Sequence, residues 1–199
     1  KVYIGNGTPK HYISWSNTFR YKNFDLSVFI NGSYGNKVYN YLSMKLTHMN
    51  SPWTNQLNAV NGRAQLVPIN PNKVYEDGTM WYNDVSNVMV ANPGASIPRA
   101  TINDPNDNDR ISDRYIEDGS YIRLKNISLG YTFPKKTIDK LGLSNLRIYA
   151  NIQNLLTITG YDGYDPEIGA STSSVNVYGL DNGRYPSPTV YSFGLNVSF

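Results

Sequence analysis

The chain has 199 residues, of which only 17% are charged, and its formal net charge is +3. Because it has no run of five or more Lys or Arg residues, the sequence gives little support to nucleic-acid binding. It contains no cysteine, which excludes disulfide frameworks, thiol catalysis and cysteine-based zinc sites. The 17 tyrosines and the recurrent glycine, asparagine and serine are typical of a β-rich protein with many turns.

Period-two alternation near the start of the chain predicts a β-hairpin. In each of two stretches, residues 12–21 and residues 24–35, apolar side chains alternate with polar ones, as in strands with two different faces. Lys22 and Asn23 lie between them, and a connection of two residues is the usual length of a tight hairpin turn.

A long stretch from 36 to 118 follows, rich in Asn, Pro, Gly and Asp, and we expect it to be irregular apart from a short helix near 41–50. The third strand is predicted over 120–133. Its apolar residues change phase in the middle, and a β-bulge near Lys125 and Asn126 would reconcile the two halves.

The remaining chain predicts two more strands. A compact turn over 134–145, with a short helical segment closed by Gly142, leads to a strand over 146–156. A second long loop, 157–187, then leads to a closing strand over 188–199.

Strands with one apolar and one polar face fit either a soluble sandwich, with the apolar face inside, or a membrane barrel, with that face outside. The strict alternation of short turns and very long loops favours the barrel, because outer-membrane barrels have short periplasmic turns and long external loops. Five aromatic residues also collect at the end of the strands where the short turns lie, as in an interfacial girdle. They are Tyr21, Phe24, Tyr131, Phe133 and Phe199.

The polar face supports the same interpretation. Inside a sandwich, several of its side chains would be buried and largely unpaired, at a cost of about 1–3 kcal/mol each, whereas a wet lumen would solvate them. These side chains are Arg20, Asp25, Arg147, Asn151 and Gln153.

Long blocks of the sequence resemble the C-terminal part of SusC/RagA-type TonB-linked outer-membrane transporters, also called TonB-dependent receptors. The blocks are residues 5–40, SDRYIEDGSYIRLKNISLGYTFP (112–134), NLRIYANIQNLLTITGYDGYDPE (145–167) and YPSPTVYSFGLNVSF (185–199). The resemblance implies an all-β fold, an antiparallel transmembrane β-barrel segment that forms about the last five strands of a 22-stranded barrel. Because the chain begins KVYIGNGTPK, we expect the plug domain and the TonB-binding segment to be absent from it.

The resemblance also implies a function, location and partners. We expect a part of a TonB-dependent importer of oligosaccharides or peptides in the cell outer membrane, with its C-terminus in the periplasm. The implied partners are outer-membrane lipid, a SusD-like surface lipoprotein that forms a lid, TonB through the missing N-terminal part, and the barrel-assembly machinery. No cofactor, metal or catalytic residue is expected.

Four residues of the closing strand, Ser192, Gly194, Val197 and Phe199, resemble the C-terminal signal read by the barrel-assembly machinery. That signal has a polar residue, a glycine, a hydrophobic residue and a terminal aromatic residue at these spacings. A free strand edge gives such recognition a physical basis in strand pairing.

Tyr161 and Tyr164, in the block TGYDGYDPEIG, are candidates for contacts with substrate or lid; alternatively, they anchor their own loop. Trp53 and Trp81, in the first long loop, are further candidates with the same alternative. The acidic stretch 103–113 is rich in oxygen ligands, but it lacks the glycine and glutamate of an EF-hand loop, so both a solvated acidic loop and a calcium loop of another geometry stay open.

A different class of function is the alternative: a secreted or surface β-sandwich that binds glycans through Trp and Tyr. Catalysis has little support, because the only histidines, His11 and His48, lie in no recognisable nucleophile setting and no glycine-rich phosphate loop occurs.

Overall fold

The computed structural model describes residues 2–168 and 178–199. The chain divides into two compact units, Lys1–Asn40 with Ile116–Phe199, and Tyr41–Tyr115. Within the described residues, none of the helices has the length and apolar character needed to cross a bilayer.

The first unit contains eight strands and one short helix among its described residues. The strands that come before the second unit in the chain are β1 (His11–Tyr21), β2 (Phe24–Tyr34) and β3 (Lys37–Asn40). The second unit contains α1 (Tyr41–Thr47), β4 (Leu66–Pro68) and β5 (Val88–Val90). The chain then returns to the first unit with β6 (Ile116–Asp118), β7 (Tyr121–Thr132), α2 (Lys135–Ile138), β8 (Asn145–Thr159), β9 (Leu180–Asp181) and β10 (Val190–Ser198).

Five long strands form one antiparallel sheet in the order β1-β2-β7-β8-β10. This agrees with the predicted all-β, antiparallel fold class. The first hairpin is confirmed as well: Tyr21 pairs with Phe24, and Lys22 adopts a φ of 53° in the two-residue turn. A positive φ is what tight hairpin turns need to match the twist of the strands.

The predicted bulge is confirmed, and its position explains the change of phase along β7. On the β2 side, Phe29 pairs with Asn126 and Ile30 with Leu124, so Lys125 is the extra residue. Strand β8 is also irregular at this level, where Asn154 has a φ of 52°. The bulge keeps the apolar residues of both halves of β7 on the same face.

The connection from β7 to β8 is compact, as predicted. Helix α2 continues into a 3₁₀ turn over Asp139–Leu141, and Gly142 ends it with a φ of 71°. Ile138 is buried and fixes this turn against the end of the sheet. Beside it, Asn23 in the first hairpin turn donates to the Thr132 carbonyl, so the two turns lie next to each other.

Part of the stretch predicted to be irregular is ordered. Strand β3 pairs antiparallel with β6 and parallel with β9, which makes a three-stranded sheet in the first unit. The sequence did not indicate it, because strands of two to four residues are too short for alternation to be visible. Val38, fully buried, lies at its centre.

The Tyr41–Tyr115 unit is held mainly by turns and side-chain hydrogen bonds. Helix α1 confirms the short helix predicted near 41–50, and β4 and β5 form a two-stranded ribbon. Asp84 accepts hydrogen bonds from Lys73, Tyr75 and Ser86, and these bonds, the one from Lys73 foremost, hold the pKa of the Asp84 carboxyl well below its usual range.

The two faces of the large sheet differ sharply. Apolar side chains on one face remain exposed, for example Leu195 at 60% and Ile148 at 44%, because nothing among the described residues covers them. On the opposite face, Arg147 donates to both carboxylate oxygens of Asp25 at 3.2 and 2.6 Å. The two side chains pair because β2 and β8 lie on either side of β7 and place them across Gly130.

Candidate functional site

The candidate site is built around a buried arginine on the polar face of the sheet. Arg123, on β7, is 3% exposed and donates to Asp165 at 2.5 Å and to Glu167 at 2.8 Å. Its Nε donates to the Thr157 hydroxyl of the neighbouring strand at 2.8 Å. Lys125, the bulge residue, donates to the same Glu167 carboxylate at 2.7 Å. Strand β7 therefore presents two cations to the loop that follows β8.

Asp165 connects two parts of that loop to each other and to β7. Besides Arg123, its carboxylate accepts the backbone N–H groups of Glu167 at 2.9 Å and Ser187 at 3.0 Å. Burial raises the pKa of Asp165, but the hydrogen bonds from Arg123 and these two amides outweigh it and hold the pKa below its usual value. The carboxylate is therefore ionised at neutral pH, which the buried guanidinium requires.

A second buried pair holds the same loop. The Tyr161 hydroxyl donates to Asp181 at 2.5 Å, and Asp181 also accepts the N–H groups of Gly183 and Arg184. Burial, followed by the hydrogen bond to Asp181, raises the pKa of Tyr161 far above its usual value. We call Arg123, Asp165, Glu167, Tyr161 and Asp181 together the loop clamp.

A cavity of about 550 Å³ opens beside the loop clamp, within the first unit. Asn31 is one of its polar lining residues, although its Oδ1 is buried and accepts no hydrogen bond among the described residues. Glu167 and Arg184 supply the charged groups of its wall. Aromatic rings form much of the remaining lining, from Tyr12, Phe29, Tyr121 and Tyr178.

The structure separates the four aromatic candidates. Tyr161 is buried in the loop clamp, which favours the anchoring alternative for it, whereas Tyr164 of the same loop is exposed. Trp53 is 92% exposed, and Trp81 is half-buried with its ring edge-on to Tyr82 at 5.7 Å. Tyr161 and Tyr164 lie in one unit and Trp53 and Trp81 in the other. A contact of any of them with substrate or lid stays a prediction.

The four residues of the predicted assembly signal lie on β10 or directly after it. Val197 is on the apolar face, Ser192 and Gly194 are on the polar face, and Phe199 follows the strand. The Tyr149 ring covers Gly194, so that a Cβ there would lie 2.2 Å from it. Glycine at this position therefore has a packing reason of its own.

In the acidic stretch 103–113, the Asp104 carboxylate is engaged by other side chains and amides of the protein itself. Asp104 accepts from the Asn108 amide groups at 2.6 Å and lies 3.0 Å from the Nε2 of His48. Among the described residues, no three His, Cys, Asp or Glu side chains are grouped so that they could hold a metal ion. Both alternatives for this stretch, a solvated loop and a calcium loop of another geometry, stay predictions.

Sequence reasoning missed the loop clamp, although parts of it were visible. Nothing in the sequence pairs Asp165 and Glu167 with Arg123, which lies 42 and 44 residues away from them. The available signal was an arginine between Ile122 and Leu124 in a strand, since a charged residue there needs a partner or water.

No family model matches the chain. The chain is 34% identical over 201 residues to TonB-dependent receptor P3 of Formosa agariphila; the alignment covers 98% of this chain and 17% of that protein. It is 36% identical over 93 residues to TonB-dependent receptor SusC of Bacteroides thetaiotaomicron, over 46% of this chain and 8% of that protein. The chain belongs to the TonB-dependent receptors.

Receptors of this type are outer-membrane β-barrel proteins. Two solved structures have the same fold: the RagAB peptide importer in its closed-closed state, with a TM-score of 0.63 over 98% of this chain and 18% of that one, and in its open-open state, with a TM-score of 0.62 over 96% and 17%. Both are 19% identical to this chain. The chain thus spans less than a fifth of the length of these relatives and neighbours.

Proposed function

We propose that this chain is the C-terminal part of the barrel wall of a TonB-dependent nutrient importer. One observation carries the proposal: the large sheet exposes a continuous apolar face and has a polar, ion-paired face opposite it. Lipid is the medium that suits the first face, and a water-filled lumen suits the second. The antiparallel order of the five strands supports the same arrangement.

The aromatic end of the sheet supports an orientation with the short turns and the C-terminus in the periplasm. Phe24 lies 4.7 Å from Tyr131, which lies 5.0 Å from Phe133, so rings from β2 and from the end of β7 form a row. The Lys22 ammonium lies over the Tyr21 ring at 5.3 Å. Rings with a cation beside them are typical of a membrane–water boundary.

The importer would take oligosaccharides or peptides and work with a SusD-like surface lipoprotein and with TonB. The names of the relatives and neighbours support this, one of the neighbours being a peptide importer. TonB would be contacted through a part of the protein outside this chain. Trp53 and Tyr164, which are exposed, are the better candidates for substrate or lid contacts, with Trp81 next.

We further propose that β10 carries the signal for the barrel-assembly machinery, in Ser192, Gly194, Val197 and Phe199. Within the described residues, β10 pairs with β8 on one side only, so its other edge offers unpaired N–H and C=O groups. Such an edge is recognised by adding a strand. The glycan-binding sandwich gains less support, because no second sheet covers the apolar face in the described part of the chain.

Neighbouring residues of β10 provide a matched test of the orientation of the two faces. Spin labels would be attached at Leu195→Cys and, separately, Asn196→Cys in the full-length receptor, made free of other cysteines and placed in vesicles. We expect the label at 195 to collide with lipid-soluble oxygen and the label at 196 with a water-soluble nickel complex. The same access from water at both positions would contradict the barrel.

Import itself needs a second measurement. Cells that carry the full-length receptor are expected to take up labelled oligosaccharide or peptide only when TonB is present. Uptake at the same rate in cells without TonB would contradict the importer while leaving the barrel fold intact.

A further inference from the structure

We propose that the cavity beside the loop clamp binds a ligand carboxylate and that Arg184 is the residue that recognises it. This inference rests on the proposed function, because the cavity is accessible to a nutrient only if the polar face lines a lumen. To the proposed function it adds one property of the substrate, namely a negative charge, and one residue that determines specificity, namely Arg184.

Of the cations around the cavity, one forms no ion pair with a carboxylate among the described residues. Arg123 and Lys125 are balanced by Asp165 and Glu167 through contacts of 2.5–2.8 Å. Arg184 has no carboxylate within ion-pair distance among the described residues. Its only hydrogen bond to them from the guanidinium goes to the Glu167 carbonyl at 3.3 Å, which leaves donors available for a ligand.

Arg184 is also held in place. Its backbone N–H donates to Asp181 at 3.1 Å, and Asp181 is almost completely buried. The backbone of Arg184 is thus anchored to the loop clamp, and its exposed side chain lines the cavity, with the guanidinium bonded to the Glu167 carbonyl. A planar guanidinium held in this way is suited to a two-point contact with a carboxylate.

Glu167 does not offer an equivalent site for a ligand cation. Its carboxylate already accepts from Arg123 and Lys125, both of which are closer than 3 Å. An ammonium group would have to displace one of them, and Arg184 would repel it. The cavity therefore selects for a negative charge rather than a positive one.

The rest of the lining fits the part of a small ligand that adjoins the carboxylate. A volume of about 550 Å³ is typical of small-molecule sites. The rings of Tyr12 and Tyr178 can pack on the face of a sugar ring or on a peptide plane. Asn31 adds a polar side chain to the lining. The shared chemistry is thus a carboxylate next to a planar or ring-shaped group, from a uronic acid or a peptide C-terminus.

The test compares acidic and neutral forms of two probes on the purified full-length receptor in detergent. The probes are tetragalacturonate with its methyl ester, and penta-alanine with its C-terminal amide, measured by calorimetry at pH 7. We expect at least one acidic form to bind about tenfold or more tightly than its neutral partner, as for a charged hydrogen-bonded pair. The pair that shows the preference identifies the source of the carboxylate.

Arg184→Gln is expected to abolish that preference, and Lys140→Gln to keep it. Lys140 is an exposed cation in the turn at the other end of the sheet, so it controls for net charge. Should Arg184→Gln fail to fold, Asn31→Asp, which adds a negative charge to the cavity, is expected to weaken the acidic probe alone. No preference in either probe pair, or a preference unchanged in the cavity variants, overturns the inference.

The two proposals can fail separately. Binding is measured without TonB or a membrane potential, so a carboxylate preference that depends on Arg184 would stand even if uptake proved independent of TonB. TonB-dependent uptake without any such preference would leave the importer intact and remove the carboxylate site.

Discussion

Replacing Asp165 by Asn tests whether the loop clamp holds the loop after β8. The variant keeps the shape of the side chain but loses the charge opposite Arg123, which is buried to the same degree. Arg123 keeps its bond to Glu167. The amide oxygen of the variant can still accept from Arg123 and from the Glu167 N–H, which share one carboxylate oxygen in the wild type, but the new N–H₂ then faces the Ser187 N–H. Loss of the charge opposite the buried guanidinium, together with the mismatch of two donors at Ser187, should cost about 3 kcal/mol.

A loss of this size is measurable as local opening. We expect the amides of residues 161–168 and 180–187 to exchange with deuterium about 100-fold faster in Asp165→Asn, since 1.4 kcal/mol corresponds to a factor of ten. The amides of β8 itself should be unaffected. Asp162→Asn is the matched control, because Asp162 is an exposed carboxylate of the same loop that the clamp does not use.

The reasoning would be refuted if Asp165→Asn and Asp162→Asn exchanged at equal rates. A double variant, Asp165→Asn with Arg123→Gln, refines the test. Removing both charges should cost less than the sum of the single changes, because each single change leaves a buried group without its full partner.

Three further predictions concern pH and the strands. The pKa of Asp165 is lowered in the folded chain, so its stabilising effect is present above the usual pKa of a free carboxyl and is lost as the pH falls through the lower, folded value. Protection of the loop amides from exchange should therefore stay constant from pH 8 to about 5 and decline only in acid below about 4. A decline already near pH 6 would contradict this. Leu195→Arg, on the apolar face, should cost about 2–4 kcal/mol and lower the amount of assembled receptor, whereas Asn196→Arg on the polar face should assemble like the wild type. Gly194→Ala should reduce assembly, because the Cβ would lie 2.2 Å from the Tyr149 ring. Adding Tyr149→Ala should restore assembly. A double variant as defective as Gly194→Ala would indicate that glycine is needed for recognition and not for packing.

The long strands could be predicted because their cause is local. Alternation over ten or so residues decides which side chains lie on the apolar face and which on the polar face, and the same pattern predicted the bulge at Lys125. The compact turn closed by Gly142 follows from glycine's access to a positive φ. The short strands β3, β6 and β9 could not be predicted, since their pairing is decided by partners up to about 140 residues apart in the sequence.

The candidate site depended on tertiary structure almost entirely. Asp25 and Arg147 are 122 residues apart, and only the position of β7 between their strands brings them together. Tyr161 looked equally suited to a ligand and to an anchor until its hydroxyl was placed against the buried Asp181.

The sequence by itself thus determined the strands, their two faces and the family. The strands and faces follow from short-range alternation, and the family follows from long contiguous blocks of similar sequence. Only the tertiary structure decided which charges are paired, because ion pairs form between strands and loops that are distant in the chain. It is also what distinguishes Arg123, which is fully engaged by Asp165 and Glu167, from Arg184, whose guanidinium is left for a ligand.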